Sequence, residues 1–285
     1  MVINYKGAFT LIELPESHTL SKQLDQQLKG LEICGVIAGH SPHGFAFYSG
    51  DPQDYEELLN GKRISSTRAL GGMVEISAAN MRILFADGVN LRLLEQAAPL
   101  PKKHQLLLIF SSGQKLVCTI QMYGGLWVFQ EGENNNPYYL VAQKKPTPLT
   151  QAFSAEYFSE LFSETKATLS AKAFLATEQR IPGLGNGVLQ DILFDARIHP
   201  KTKIKDLSSG ETERMYQSVK SVLVEMTRLG GRDTEKDIFG RPGGYHTVLS
   251  RITLERPCPV CGGILERKAF LGGNIYYCPI CQPMK

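Results

Sequence analysis

The sequence predicts an α+β protein in which a β-rich first half precedes a helical second half that ends in a small four-cysteine module. Three observations carry this. From Leu31 to Gln130, short apolar runs of strand character recur at roughly ten-residue spacing with turn residues between them. After Lys144-Lys145-Pro146-Thr147-Pro148-Leu149-Thr150 the apolar spacing turns helical. Near the C-terminus, Cys258-Pro259-Val260-Cys261 and Cys278-Pro279-Ile280-Cys281 stand sixteen residues apart.

At 285 residues the chain exceeds one average domain. The composition shifts place a β-rich domain over 1–144, a linker over 145–152 and a helical domain over 153–250, and the paired cysteines set off residues 251–285, expected to be a zinc finger. Glu13-Leu14-Pro15-Glu16 precedes a helix from Ser17 to Leu28, which Gly30 ends. Strands are expected at Ile33–Ala38, Gly44–Tyr48, Met73–Ser77, Arg82–Ala86, Gln105–Phe110, Lys115–Ile120 and Gly125–Phe129, with a short helix at Asp54–Leu59. Asp87-Gly88 and Ser112-Gly113 sit at hairpin positions, so the strands suggest a sandwich or a barrel. The prolines of 146–148 favour an extended path. Helices follow at Ala155–Phe162 and Gly210–Leu229, the latter ended by Gly230-Gly231.

Between them lies the stretch around which the second half is organised. Ser170 is an N-cap for Ala171–Ala176. Pro182-Gly183-Leu184-Gly185-Asn186-Gly187 breaks that helix, because proline clashes with the preceding turn and glycine permits positive φ. Val188, Leu189, Ile192, Leu193 and Ala196 then share one face of a second helix, closed by Pro200. A glycine loop opening onto a helix N-terminus presents unpaired N–H groups to an anion, most often a phosphate. A plain helical-hairpin turn uses the same residues, and both readings stay open. A dinucleotide fingerprint fits worse, since the preceding segment is helical where that motif needs a strand.

A net charge of +3 means that nucleic-acid binding would need local clustering of cations. No apolar run approaches the roughly 18 residues of a membrane span, and Met1–Thr10 lacks a basic-then-apolar signal pattern, so a cytoplasmic protein with no membrane partner is expected. In a reducing compartment the paired cysteines read as metal ligands and Cys34 and Cys118 as buried core. Each CxxC forms a knuckle, and the span between holds a β-hairpin with Gly272-Gly273 at its tip. Cys258, Cys261, Cys278 and Cys281 therefore predict one structural Zn2+, without which so small a hairpin has too little core to fold.

Taken together, Glu13-Leu14-Pro15-Glu16, Gly183-Leu184-Gly185-Asn186, Leu193-Phe194, Ile198-His199-Pro200 and the cysteine hairpin resemble the Fpg/Nei family, the formamidopyrimidine and endonuclease VIII type DNA glycosylases with a helix–two-turn–helix motif and a zinc finger. The resemblance is tightest over residues 170–285 and weak across 31–130. It implies an N-terminal β-sandwich with flanking helices, then a helical domain with the helix–two-turn–helix motif and a zinc-ribbon hairpin. It implies a monomer acting on double-stranded DNA that contains a damaged base or an abasic site. Asn186, with the N–H groups around Gly185 and Gly187, would hold phosphates flanking the lesion, and Glu13 and Glu16 would be the catalytic carboxylates.

The family's nucleophile is an N-terminal amine, usually of proline, directly before that first glutamate. Here Ile12 holds the position, and its nitrogen is a peptide amide, which is not nucleophilic. Other cationic positions of the family read Leu70-Gly71-Gly72, Gln121-Met122-Tyr123-Gly124 and Leu271-Gly272-Gly273-Asn274. Lys6 is the one alternative amine near the N-terminus, more simply a solvated side chain. A start at Leu11, the family's initiator position, is the other reading of the N-terminus. His18 and His199 read as surface or capping residues. The loop from Gly230 to Gly244 is either a surface connection or a nucleotide contact. Three functions follow: a lesion-recognising glycosylase/AP lyase of altered nucleophile, a DNA-binding relative without catalysis, and an adaptor that keeps only the fold.

Overall fold

The computed structural model describes residues 11–285; Lys6 lies outside the described residues. Helix α1 (Leu14–Leu28) starts at Pro15 near its first turn and buries Leu20, Leu24 and Leu28. Proline is favoured there because its missing N–H would have no helical partner. The first half then builds two sheets. One is four-stranded, from β1 (Ile33–Ala38), β6 (Val89–Leu94), β7 (Leu106–Phe110) and β8 (Lys115–Ile120), in the order β1-β7-β8-β6. The other is five-stranded, from β2 (Ala46–Tyr48), β3 (Ile64–Leu70), β4 (Met73–Ala78), β5 (Met81–Phe85) and β9 (Gly124–Gln130), in the order β2-β9-β5-β4-β3. Their inner faces share one core with α1, in which Ile76, Phe85 and Val128 meet Val36, Leu108 and Leu116. The arrangement is a sandwich, closed at one side by α1 and by α2 (Tyr55–Leu59).

Ser112-Gly113 does turn the β7–β8 hairpin, with Gly113 at φ +83°. Asp87-Gly88 does not make a hairpin. It carries the chain from β5 in one sheet to β6 in the other, because neither strand pairs with its sequence neighbour across that turn. The expectation that both single cysteines are buried holds for Cys118 alone; Cys34 is exposed on β1. An apolar flanking run places a strand without saying which face a given residue takes. The outer face of the five-stranded sheet is covered by α3 (Pro137–Lys144), which packs Tyr139 against Leu70, Met73, Leu84 and Phe129. Cover on both faces leaves every residue of β4 buried.

A segment without helix or strand leads from Lys144 to α4 (Ala155–Ser163). The second core joins α4, α5 (Ala171–Ala176), α6 (Val188–Asp195) and α7 (Ser209–Arg228). Ser170 and Ser208 cap α5 and α7 through their hydroxyls. The C-terminal hairpin pairs β10 (Glu266–Phe270) with β11 (Gly273–Tyr277). His199 is buried, its ring edge-on to Tyr277 and its Nδ1 accepting from the Lys201 N–H. It is neither a surface residue nor a helix cap, because the returning hairpin covers it.

Candidate functional site

A cavity of about 520 Å³ opens between the sandwich and the helical half. Ile12, Glu13, Met73 and Trp127 line it from the first half, and Gly183 to Asn186 from the second. The two halves meet here backbone to backbone. The β3–β4 turn, Gly71-Gly72, presses on Pro182-Gly183, with Gly71 at φ +55° and Gly183 at φ +82°. A Cβ at Gly72 would lie 2.8 Å from the Ile12 carbonyl oxygen. The Leu14 N–H donates to the Gly183 carbonyl at 2.8 Å. Leu70-Gly71-Gly72, one of the positions where the resemblance expects a cation, is thus a glycine turn with no room for a side chain at Gly71 or Gly72.

The glycine loop opens onto α6, and its first helical N–H groups are already taken. Glu13 accepts from the Gly187 N–H at 2.8 Å and from the Val188 N–H at 2.7 Å. A carboxylate from a different element therefore caps α6, at the positive end of its dipole. Among the described residues, the N–H groups of Gly185 and Asn186 have no protein acceptor. The Asn186 side chain donates to the Asn274 carbonyl of β11 at 3.1 Å, and Gln190, which is buried, donates to the same oxygen and accepts from the Tyr276 N–H. Gly273 lies beside the Asn186 amide. The loop is in this way buttressed on the cysteine hairpin.

Behind the loop sits a buried ionic cluster that sequence reasoning missed. Arg232 makes a bidentate pair with Glu16, Nε and Nη2 each at 3.0 Å from a carboxylate oxygen. Its Nη1 is 3.5 Å from Glu13 and its Nη2 3.9 Å from Glu235. Glu235 also accepts from the Leu11 N–H at 2.9 Å. Gly187 must be glycine, since a Cβ there would overlap the guanidinium. Burial pushes the Glu13 carboxyl up, against the pull of Arg232 and the two N–H groups. Burial pushes Glu235 up to about 8, again against Arg232. Glu13 lines the cavity; Glu16, committed to Arg232, does not. No pattern in the sequence marks Arg232 or Glu235, because the groups they meet at Leu11, Glu13 and Glu16 are more than 200 residues away in the chain.

The loop from Gly230 to Gly244 does not line the cavity. It runs over the sandwich, with Ile238 fully buried in the first core, the Leu93 N–H donating to the Ile238 carbonyl at 2.9 Å, and Arg92 donating to the Asp237 carbonyl at 2.7 Å.

The four paired cysteines converge. Their sulfurs all lie within 4.8 Å of one another, with Cys258–Cys281 at 3.7 Å and Cys261–Cys278 at 3.4 Å. Tetrahedral bonds of about 2.3 Å place thiolate sulfurs roughly 3.8 Å apart, so the residues fit a metal of zinc type. Gln282 joins the knuckle to the helical core by accepting from the Cys278 N–H and donating to the Ile198 carbonyl.

Comparison with known proteins adds three findings. Residues 145–237 match the H2TH domain of formamidopyrimidine-DNA glycosylases. Over 278 residues the chain is 28% identical to the formamidopyrimidine-DNA glycosylase of Bacillus cereus, covering 95% of this chain and 99% of that protein. The corresponding protein of Aliivibrio fischeri is 26% identical over 277 residues, covering 95% and 98%. Among solved structures, the MutM (Fpg) protein of Thermus thermophilus is similar with a TM-score of 0.79 and 25% identity, covering 96% of this chain and 99% of that one. Lactococcus lactis Fpg, solved in complex with DNA containing an abasic site, has the same fold, with a TM-score of 0.82 and 22% identity over 95% and 99%.

Proposed function

We propose that this chain, which belongs to the Fpg/Nei family of DNA glycosylases, binds double-stranded DNA at a damaged base or abasic site without the amine chemistry of that family. Ile12 carries the reading. It stands directly before Glu13 at the cavity wall, is 3% exposed, and offers only a peptide nitrogen. An amide lone pair is delocalised into its carbonyl and cannot attack a sugar C1′. Both oxygens of Glu13 are engaged by the α6 N–H groups, which supports a structural use of that carboxylate.

For binding, the unengaged N–H groups of Gly185 and Asn186 and the amide of Asn186 would hold a phosphate, a contact that positions a duplex without reading its sequence. Cys258, Cys261, Cys278 and Cys281 would hold one Zn2+, which ties the ends of the hairpin together and so fixes Asn274 against Asn186. The reading has the protein act on DNA in the cytoplasm, as a monomer. Among the described residues no helix is long and apolar enough to cross a membrane.

Glu13 favours a second reading, a glycosylase with another nucleophile, because it lines the cavity and burial raises its proton affinity, as general-acid work requires. Borohydride trapping on abasic-site duplex separates the two. The first reading expects retarded but uncrosslinked DNA, and a variant in which proline replaces Ile12 as the first residue should begin to crosslink. Strong trapping by the unaltered chain would overturn it and favour the second.

A further inference from the structure

Among the described residues, the cluster beneath the glycine loop holds three carboxyl groups against one guanidinium, all nearly solvent-free. If all three ionise, two negative charges go uncompensated in a buried site, which is far costlier than protonating one of them. The three are not equal. Glu16 has the bidentate pair and the Arg232 N–H, and Glu13 has two backbone N–H groups and a 3.5 Å approach to Nη1. Among the described residues Glu235 has only the Leu11 N–H and Thr234 hydroxyl, with Nη2 at 3.9 Å, so its ionised form is the least supported of the three.

The same cluster abuts the loop proposed above to seat a phosphate. Glu13 touches that loop through Gly187 and Val188, and the Arg232 guanidinium lies against the Gly187 α-carbon. An incoming phosphodiester therefore adds a negative charge beside carboxyl groups that already exceed their counter-ion. We infer that Arg232 and Glu235 form a proton-linked counter-charge beneath the Gly185–Gly187 loop, so that a DNA phosphodiester seats there together with a proton on Glu235. Arg232 and Glu235 are positioning residues; neither lines the cavity. The charged groups facing Glu235 are Arg232 on its own loop and Glu13 and Glu16 from the start of α1, with Lys236 and Asp237 adjacent in the chain. Asp87 and Asp191 lie within the field of Arg232 and add to the negative side. This inference rests on the DNA-binding reading above.

The test is binding of a duplex carrying a tetrahydrofuran abasic analogue, followed by fluorescence anisotropy at fixed ionic strength from about pH 6 to about pH 9.5. One added charge near the loop, partly screened, should weaken wild-type binding by about three- to tenfold across this range. Glu235→Gln, which keeps the shape and cannot ionise, should bind with the low-pH affinity throughout. Arg232→Lys should bind more weakly at every pH while keeping the wild-type slope. A measurement on the wild type alone guards against misfolded variants: calorimetric binding near pH 8 in two buffers of different ionisation enthalpy should show uptake of a fraction of a proton. No proton uptake, or parallel pH slopes in wild type and Glu235→Gln, overturns the inference while leaving DNA binding intact. Failure of the wild type to bind the duplex at any pH overturns the DNA-binding reading itself.

Discussion

Gly183→Ala tests the backbone contact that joins the two halves. A Cβ at this position would lie within 2.5 Å of the Gly72 nitrogen and nearer still to the Gly71 carbonyl carbon. These are main-chain atoms of a tight turn, so no rotamer change relieves the clash. The residue also sits at φ +82°, where a side chain costs about 1–2 kcal/mol. Crowding of a packed contact adds about 1–3 kcal/mol. Loss of unfolded-chain freedom on replacing glycine offsets about 0.5–1 kcal/mol. The net expectation is roughly 3 kcal/mol, or a fall in melting temperature on the order of 10 °C for a chain of this size. Gly30 provides the control, since it has φ +84° and nothing within 4 Å of its would-be Cβ. Gly30→Ala should lose only the strain, about 1 kcal/mol. The assay is thermal and urea unfolding followed by circular dichroism. The single tryptophan, Trp127, lines the cavity and reports locally on whether the halves still meet. Equal losses in the two variants would refute the argument, because crowding by Gly71-Gly72 would then contribute nothing.

Three further outcomes are expected. Glu235 takes up its proton more strongly in the folded chain, with its value moving from 4.5 to about 8. The folded state then binds more protons between these limits, so stability should fall as pH rises from about 4.5 through 8, by at most about 5 kcal/mol; melting curves of Glu235→Gln should lack that component, and an unchanged slope would count against it. Removing metal from reduced protein with a strong chelator should unfold the C-terminal hairpin while the sandwich core keeps its amide-exchange protection, and metal analysis should return about one zinc per chain. Asn186→Ala should weaken duplex binding about equally across sequences, by roughly 1 kcal/mol. It should cost under about 0.5 kcal/mol of stability, since the bond to Asn274 is solvent-exposed; unchanged affinity would show that the loop is only a turn.

What the sequence determined by itself was local. Ser170 before a helical run, a glycine loop ahead of α6, and two CxxC pairs sixteen residues apart each specify their structure within a few turns of chain, although α5 already ends at Ala176, ahead of Pro182. Backbone geometry and ligand spacing act over such distances without help from the rest of the molecule. The tertiary structure decided what those pieces were for. Asp87-Gly88 has hairpin residues, yet it crosses between sheets because β5 pairs with β4 and β9, and β6 with β8. Cys34 sits in an apolar run, yet its side chain faces solvent. Glu13 stands in a motif of catalytic appearance, yet it caps α6, and Arg232, 216 residues beyond Glu16, anchors the acidic pair. Charge pairing in a buried site depends on which side chains folding brings together, and separation along the chain carries no trace of it. Only the meeting of the two halves, held open by glycine at 71, 183 and 187, brings those groups to one place.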